Sequence, residues 1–331
     1  MGLSEPNRVK HPPDLRDPSR ANKALSLAGS VIPMPLRHHE IFSHFPRWAG
    51  TVWRGFDADF LGVQTRATFV AGSASAPADQ QNFPPLPPFD EDYFEWVSLF
   101  EAIAHASALF TMIELGAGYG RWLVRGALAA SKRGLQYRLI GVEAEPTHFL
   151  WMEQHTQDNH VSPSAVQLVW AAVTDHDGVT WFRTGDPSIS YGQSLAPPHE
   201  IPSSKWVDIG SPVTLDTYTY LPVQVNAVSL SSLLRPLDCV DLIDLDIQGA
   251  ELDVLAAAHG PLADKVRQVH IGTHSHEVEA GLRHLFGDNL GWTCRYDYPC
   301  LSASETPYGR IEFQDGVQVW WNPAVGLRAT A

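Results

Sequence analysis

From Asp90 onward the apolar residues change period repeatedly, and each change predicts an element. Phe94, Val97, Phe100 and Ile103 recur at helical spacing behind the acidic start Asp90–Glu91–Asp92. Leu109–Leu115 is a short apolar run ended by glycines, Arg121–Ser131 is helical and stopped by Gly134, and Tyr137–Val142 reads as a strand. That order is a βαβ unit. It continues through a helix at Thr147–Gln157 and strands at Val166–Ala172, Gly178–Phe182, Val240–Ile247 and Val266–Gly272, with helices at Glu251–Ala258 and Glu277–Phe286. Two late strands, Trp292–Tyr298 and Gly316–Trp321, the second entered through Gln314–Asp315–Gly316, predict an antiparallel hairpin at the sheet edge. The fold class is α/β, a doubly wound, mostly parallel sheet with an antiparallel C-terminal hairpin.

Residues 1–89 break this rhythm with prolines and read as an irregular N-terminal cap or arm, leaving 90–331 as the main domain. Trp48, Trp53 and Phe56 in the arm suit core packing or the contact of a homodimer. A segment rich in proline, serine and glycine, 183–226, interrupts the main domain on its expected substrate side, and its Tyr191–Gly192–Gln193–Ser194 could close over a ligand.

The 331 residues are 44% hydrophobic and 18% charged, enough for a large buried core, and the net charge of −14 repels polyanions, so no nucleic acid partner is expected. Cys239, Cys294 and Cys300 form no C-x-x-C pair, so neither a zinc ribbon nor a disulfide framework is indicated. No apolar run approaches the roughly 20 residues a bilayer requires, and Met1–Lys10 has no leader-like core. The expectation is a cytoplasmic protein without membrane contact.

Chemistry concentrates at the carboxyl ends of the predicted strands. The first turn, Glu114–Leu115–Gly116–Ala117–Gly118–Tyr119–Gly120, lets a ligand approach the backbone at the start of a helix. Arg121 stands where a nicotinamide-binding G-x-G-x-x-G turn needs its third glycine, which argues against a dehydrogenase. An acid before G-x-G-x-G instead resembles the S-adenosylmethionine turn of Rossmann-like methyltransferases, whose acid lies near the cationic methionine part. The resemblance implies cofactor positions at Glu114, Gly116, Ala117, Gly118 and Tyr119. Glu143, ending the second strand, is placed to hold the ribose hydroxyls, whereas Glu145 before Pro146 belongs to the next helix. The third strand's end, Trp170–Ala171–Ala172, would flank the adenine with small side chains, with the core as the alternative place for Trp170.

The fourth strand, Val240–Asp241–Leu242–Ile243–Asp244–Leu245–Asp246–Ile247, carries Asp244 and Asp246 on one side. Acids in so apolar a strand are costly to bury, and their position at its carboxyl end suits a ligand site, with Asp244 assigned to the cofactor. Asp246–Ile247–Gln248–Gly249–Ala250–Glu251 is similar to the D-[IV]-[EQ]-G-x-E pattern of the FkbM methyltransferases. Glu143–Ala144–Glu145–Pro146 and Val228–Leu233 agree in order, over roughly residues 110 to 320. That family often has lysine where Asp244 stands and a leucine-aspartate pair where Ser231–Ser232 stands.

The resemblance implies methylation of a hydroxyl on a small molecule or sugar, with S-adenosylmethionine as methyl donor. His270, His274 and His276 would share one face of an extended fifth strand. Asp246 and His274 form the expected acid–base pair, because the acceptor oxygen must lose its proton as the new bond forms. Glu251 is expected to be structural, at a helix start. No metal is assigned; a metal-dependent variant using Asp246 and a nearby histidine, and a scaffold protein without turnover, stand as alternatives.

Overall fold

The computed structural model describes residues 37–328 apart from 71, 73–74, 188–191, 204–208 and 216–217. Strands β1 (Leu109–Leu115), β2 (Gln136–Glu143), β3 (Val166–Trp170), β4 (Leu242–Leu245) and β5 (Gln268–Thr273) pair in parallel. After them come β6 (Thr293–Tyr298) and β7 (Gly316–Trp321), and β7 lies antiparallel between β5 and β6. The seven-stranded order is therefore β6-β7-β5-β4-β1-β2-β3, a Rossmann-like arrangement whose winding reverses between β1 and β4. Ligands of such sheets bind at the carboxyl ends beside that reversal.

Alternation along β1 explains the layers. Phe110 and Met112 join a core with Phe94, Val97, Phe100 and Ile103 of helix α1 (Tyr93–His105) and with Leu123, Val124 and Ala127 of α2 (Arg121–Lys132). Met152 of α3 (Pro146–Asp158) belongs to the same core. Ile113 and Leu115 point to the opposite core, with Val254 and Leu255 of α4 (Glu251–Ala257) and Leu282 of α5 (His276–Arg283). The start of α3 is fixed by Glu145, whose carboxylate accepts the His148 N–H at 2.6 Å, with Pro146 at the first helical position.

Asp241 solves a problem specific to the apolar centre of the sheet. Its carboxylate accepts the Thr111 N–H at 2.9 Å and an Arg267 guanidinium N–H at 2.6 Å, so the burial of both charges is compensated.

Several expectations need correction. The third strand stops at Trp170; Ala172–Thr174 turns away into a second sheet with Gly178–Thr184, Val213–Leu215 and Tyr218–Ser229. Gly178–Thr184 is thus antiparallel to Tyr218–Ser229 and not part of the main sheet, and residues 218–226 are strand where a loop was expected. Trp170 is 52% exposed, its indole N–H donating to the Ala144 carbonyl, and is not core. The C-terminal strands pair as expected, but a further hairpin, Ser302–Thr306 with Gly309–Phe313, is inserted between them.

The described part of the arm contains the short pairs Gly50–Val52 with Gln80–Asn82 and Phe56–Ala58 with Gln64–Arg66. Phe45 stacks on Phe100 of α1 with ring centroids 3.9 Å apart, and His38–Ala331 is one compact unit. The expected division at residue 89 falls inside that unit. Among the described residues no helix is long and apolar enough to cross a membrane.

Candidate active site

The glycine turn after β1 is built by contacts that require it. Gly116 has φ +76°, and a β-carbon there would lie 1.8 Å from the Asp246 backbone oxygen, so only glycine lets β1 and β4 come together at this point. Gly118 and Gly120 also have positive φ. Glu114 accepts the Trp122 N–H at 3.1 Å and the Leu123 N–H at 2.7 Å, so its cost of burial is met by the unpaired amides that begin α2. Burial, and then Asp244, push its carboxyl well above the usual range. Glu143 accepts the Gly118 N–H at 2.7 Å and the Glu145 N–H at 2.7 Å, and burial raises it to about 7. From behind, the buried imidazole of His155 bonds the Tyr119 carbonyl at 3.1 Å and lies 3.3 Å from the Thr65 hydroxyl.

Two pockets meet at this turn and share Gly116, Gly118 and Asp246. One is lined by Glu143, Ala171, Ala172, Phe182, Gln193 and Ile247. It therefore joins the expected ribose and adenine positions to residues of the second sheet and of the 183–226 segment. Tyr191, expected to accompany Gln193, lies outside the described residues. The other pocket holds Glu114, Ala117, Tyr119, Asp244 and Asp246 together with Asp92, Glu95, Arg121 and Asp315. Arg121 pairs with Asp92, which keeps its guanidinium charged against the effect of burial.

The strand carrying the two aspartates ends at Leu245, and Asp246 follows it with its N–H on the Leu115 carbonyl at 3.0 Å. Asp244 is buried beside Glu95 and His270. Burial, followed by Asp246, raises Asp244; burial, followed by Asp244, raises Glu95. Two such acids side by side hold protons more firmly than isolated ones. Asp246 faces outward with half of its side chain exposed. After it the chain takes φ +56° at Gln248 and φ +103° at Gly249, the second of which suits glycine.

The three histidines do not share a strand face, because β5 ends at Thr273. His270 is buried and held down to about 3 by its burial. His276 opens α5 and contacts Glu279 at 3.0 Å and Cys300 at 3.8 Å, away from the turn. Only His274 reaches Asp246, with Nε2 3.2 Å from its Oδ1 and 3.7 Å from Asp315 Oδ1. Its Nδ1 is 2.9 Å from Glu251 Oε1, which also accepts the Gly249 N–H at 2.9 Å. Burial alone would lower His274, but Asp246 and Glu251 outweigh it and raise it to about 10.

Glu251 is thus fully buried and oriented toward His274 as well as toward the helix start. Its spacing was legible, but its histidine partner, 23 residues on, was not. Asp92, Glu95 and Asp315 were also missed as site residues. The first two read locally as a helix start and its exposed face, and Asp315 as a turn. Asp315 is brought in because Glu91 Oε2 accepts the Gln314 N–H at 2.7 Å and the Asp315 N–H at 3.3 Å.

The model of the FkbM methyltransferase domain matches residues 114–300. A protein of Jannaschia sp. (strain CCS1), provisionally named a methyltransferase, is 27% identical over 284 residues, covering 85% of this chain and 97% of its own. Among solved structures, an FkbM methyltransferase of Methylobacillus flagellatus KT is similar at 11% identity and a TM-score of 0.40, over 65% of this chain and 44% of that one. A precorrin-6y C5,15-methyltransferase of Geobacter metallireducens GS-15 is similar at 11% identity and 0.38, over 69% of this chain and 86% of that one.

Proposed function

Since the chain belongs to the FkbM methyltransferase family, we propose that it transfers the methyl group of S-adenosylmethionine to a hydroxyl oxygen of a small molecule or sugar. The observation that carries this reading is the meeting of two unlike pockets at Gly116, Gly118 and Asp246. A sulfonium cofactor is itself divided in this way, with an adenosine on one side of the sulfur and an amino acid on the other. The small side chains of Ala171 and Ala172 leave room for a base, and Glu143 offers carboxylate oxygens to a ribose. On the other side the carboxyl groups of Glu95 and Asp244 offer oxygens to an ammonium group, and Arg121, already paired with Asp92, offers its remaining N–H groups to a carboxylate. Gly116 and Gly118 line both pockets without placing a side chain at their junction.

Bound there, the cofactor supplies an electrophilic methyl group. Asp246 stands at the junction with a half-exposed carboxylate, and it takes the acceptor's O–H proton as the oxygen–methyl bond forms and the sulfonium bond breaks. His274, fixed by Glu251, positions Asp246. The surplus of carboxylates around the junction favours neutral or cationic acceptors over anionic ones.

Calorimetric titration of the full chain with S-adenosylmethionine and S-adenosylhomocysteine tests this reading. Micromolar binding that is weakened in Glu143→Ala is the expected result. Absence of binding for both ligands overturns it.

A further inference from the structure

We propose that a third pocket, reached from Asp246 and enclosed by the start of α1, the end of β5 and the turn before β7, binds a primary ammonium group of the methyl acceptor. The acceptor is then an amino alcohol, with its hydroxyl at Asp246 and its amine a few bonds away. The inference rests on the methyl-transfer reading of the same site and adds to it the chemical class of the acceptor.

The cofactor reading fills two pockets that meet at Asp246, and Asp246 also lines this third one. Asp92, Glu95 and Asp315 form the wall it shares with the methionine side of the cofactor, whereas Glu91, His270 and Gly272 line neither cofactor pocket. A group seated there lies beside the cofactor and does not replace it. The cavity volume is about 60 Å³, less than half of the roughly 150 Å³ that admits a benzene ring. It therefore takes a group of aminomethyl size and leaves the rest of the acceptor outside.

His270 supplies the sign of a ligand. Alternation along β5 sends Val269 and Ile271 into the core on one side and Gln268, His270 and Gly272 toward α1 on the other. Gln268 is satisfied there, its side-chain N–H groups donating to the Ser98 carbonyl at 3.0 Å and hydroxyl at 2.6 Å. His270 is only 2% exposed, and its buried Nδ1 has no hydrogen-bond partner. A buried polar atom left in that condition is costly and calls for a partner from outside the chain. Burial keeps the ring neutral, so one of its nitrogens is free to accept a hydrogen bond.

Gly272 is the second sign. Its φ lies outside the left-handed region, and a β-carbon there would stand 3.5 Å from Asp246 Cγ, an ordinary contact. Neither backbone nor packing requires glycine, which weakens a strand, and the missing side chain leaves the pocket open at its junction with Asp246.

Charge selects the ligand. Arg121 answers Asp92, and His274 stands between Asp246 and Asp315. Among the described residues Glu91 and Glu95 have no ion pair, so the pocket holds more carboxyl groups than cations. An anion is repelled there. An ammonium brings three N–H donors and one positive charge, and Glu91, Asp315 and His270 offer it two carboxylates and an imidazole nitrogen.

The test uses two probes that differ at one position, 3-aminopropane-1,2-diol and glycerol. Each is titrated into the full chain loaded with S-adenosylhomocysteine and followed by saturation-transfer nuclear magnetic resonance, with calorimetry for S-adenosylhomocysteine alongside. The amine should bind at least about tenfold more tightly than glycerol. Its affinity should fall at least about fivefold in Gly272→Ala, which fills the pocket, and about tenfold in His270→Phe, which keeps a ring and removes its nitrogens. S-adenosylhomocysteine affinity should stay within about twofold of wild type in both variants, which also shows that they are folded.

Normal S-adenosylhomocysteine binding with no preference for the amine, or with neither probe bound, overturns the ammonium site and leaves methyl transfer standing. A preference for the amine that both variants retain overturns the assignment to this pocket. Amine binding that falls in both variants, in a chain that binds no S-adenosylhomocysteine, supports the pocket and removes the methyl-transfer reading instead.

Discussion

Gly116 touches the backbone oxygen of Asp246 so closely that a single added methyl group would sit 1.8 Å from it. The glycine turn and the residue at the junction of the two pockets are therefore one packing unit. Gly116→Ala should separate β1 from β4, adding steric overlap to the roughly 1–2 kcal/mol cost of a left-handed alanine. Cofactor affinity should fall at least about tenfold, a loss of about 1.4 kcal/mol, and the melting temperature should drop. Calorimetry and thermal unfolding read the two effects separately.

Glu143 organises the same turn from β2. Glu143→Ala leaves the Gly118 and Glu145 N–H groups without their carboxylate, at about 1–3 kcal/mol for each buried group left unsatisfied. Glu143→Gln keeps an acceptor oxygen and should weaken S-adenosylmethionine binding less than Glu143→Ala. Equal losses would show that the carboxylate's charge, rather than its hydrogen bonds, matters.

Asp246→Asn removes the proposed base while preserving size. Cofactor binding should stay near wild type and kcat should fall by about 10²- to 10⁴-fold once an acceptor is in hand. Full turnover in this variant would reassign the base.

Arg267 and Asp241 form a buried pair remote from the turn. Arg267→Met leaves Asp241 charged and without its guanidinium, and should cost about 3–5 kcal/mol of stability. Arg267→Met combined with Asp241→Asn should recover part of that loss. Denaturant unfolding of the two variants checks the sign and the size.

His155 ties stability to acidity. Burial holds its imidazole at about 4, below its ordinary 6.5, so the folded state prefers it neutral. Its contribution is full above pH 6.5 and is lost as pH falls from 6.5 toward 4. The melting temperature should decline through that interval, and His155→Gln should flatten the decline. A profile unchanged by the substitution would assign the acid sensitivity to other groups.

The main sheet was legible because its elements have strong, short-range periodicity: Leu109–Leu115 is both the apolar run and the strand. The second sheet was not. Tyr218–Ser229 contains Pro222, Gln224 and Asn226, residues that argue against a strand, and pairing with Ala172–Thr174, Gly178–Thr184 and Val213–Leu215 organises it. At the site, the glycine turn and the D-x-Q-G-x-E pattern were readable because their spacing is local. Asp315 was not, since a turn aspartate that meets His274 looks in sequence like any other turn aspartate. Glu95 sits on a helix whose apolar face explains its neighbours, and nothing local marks its approach to Asp244.

The position of β7 between β5 and β6 also bears on synthesis. Gly316–Trp321 leaves the ribosome after every other strand of the sheet, yet it occupies an interior place. Until it emerges, the free edge of β5 presents unpaired amides and carbonyls beside Val269 and Ile271, and β6 has no partner in the sheet. Nascent chains halted before residue 316 therefore carry an open edge on β5 and an unpaired β6, and they should depend on holding chaperones far more than the finished protein does.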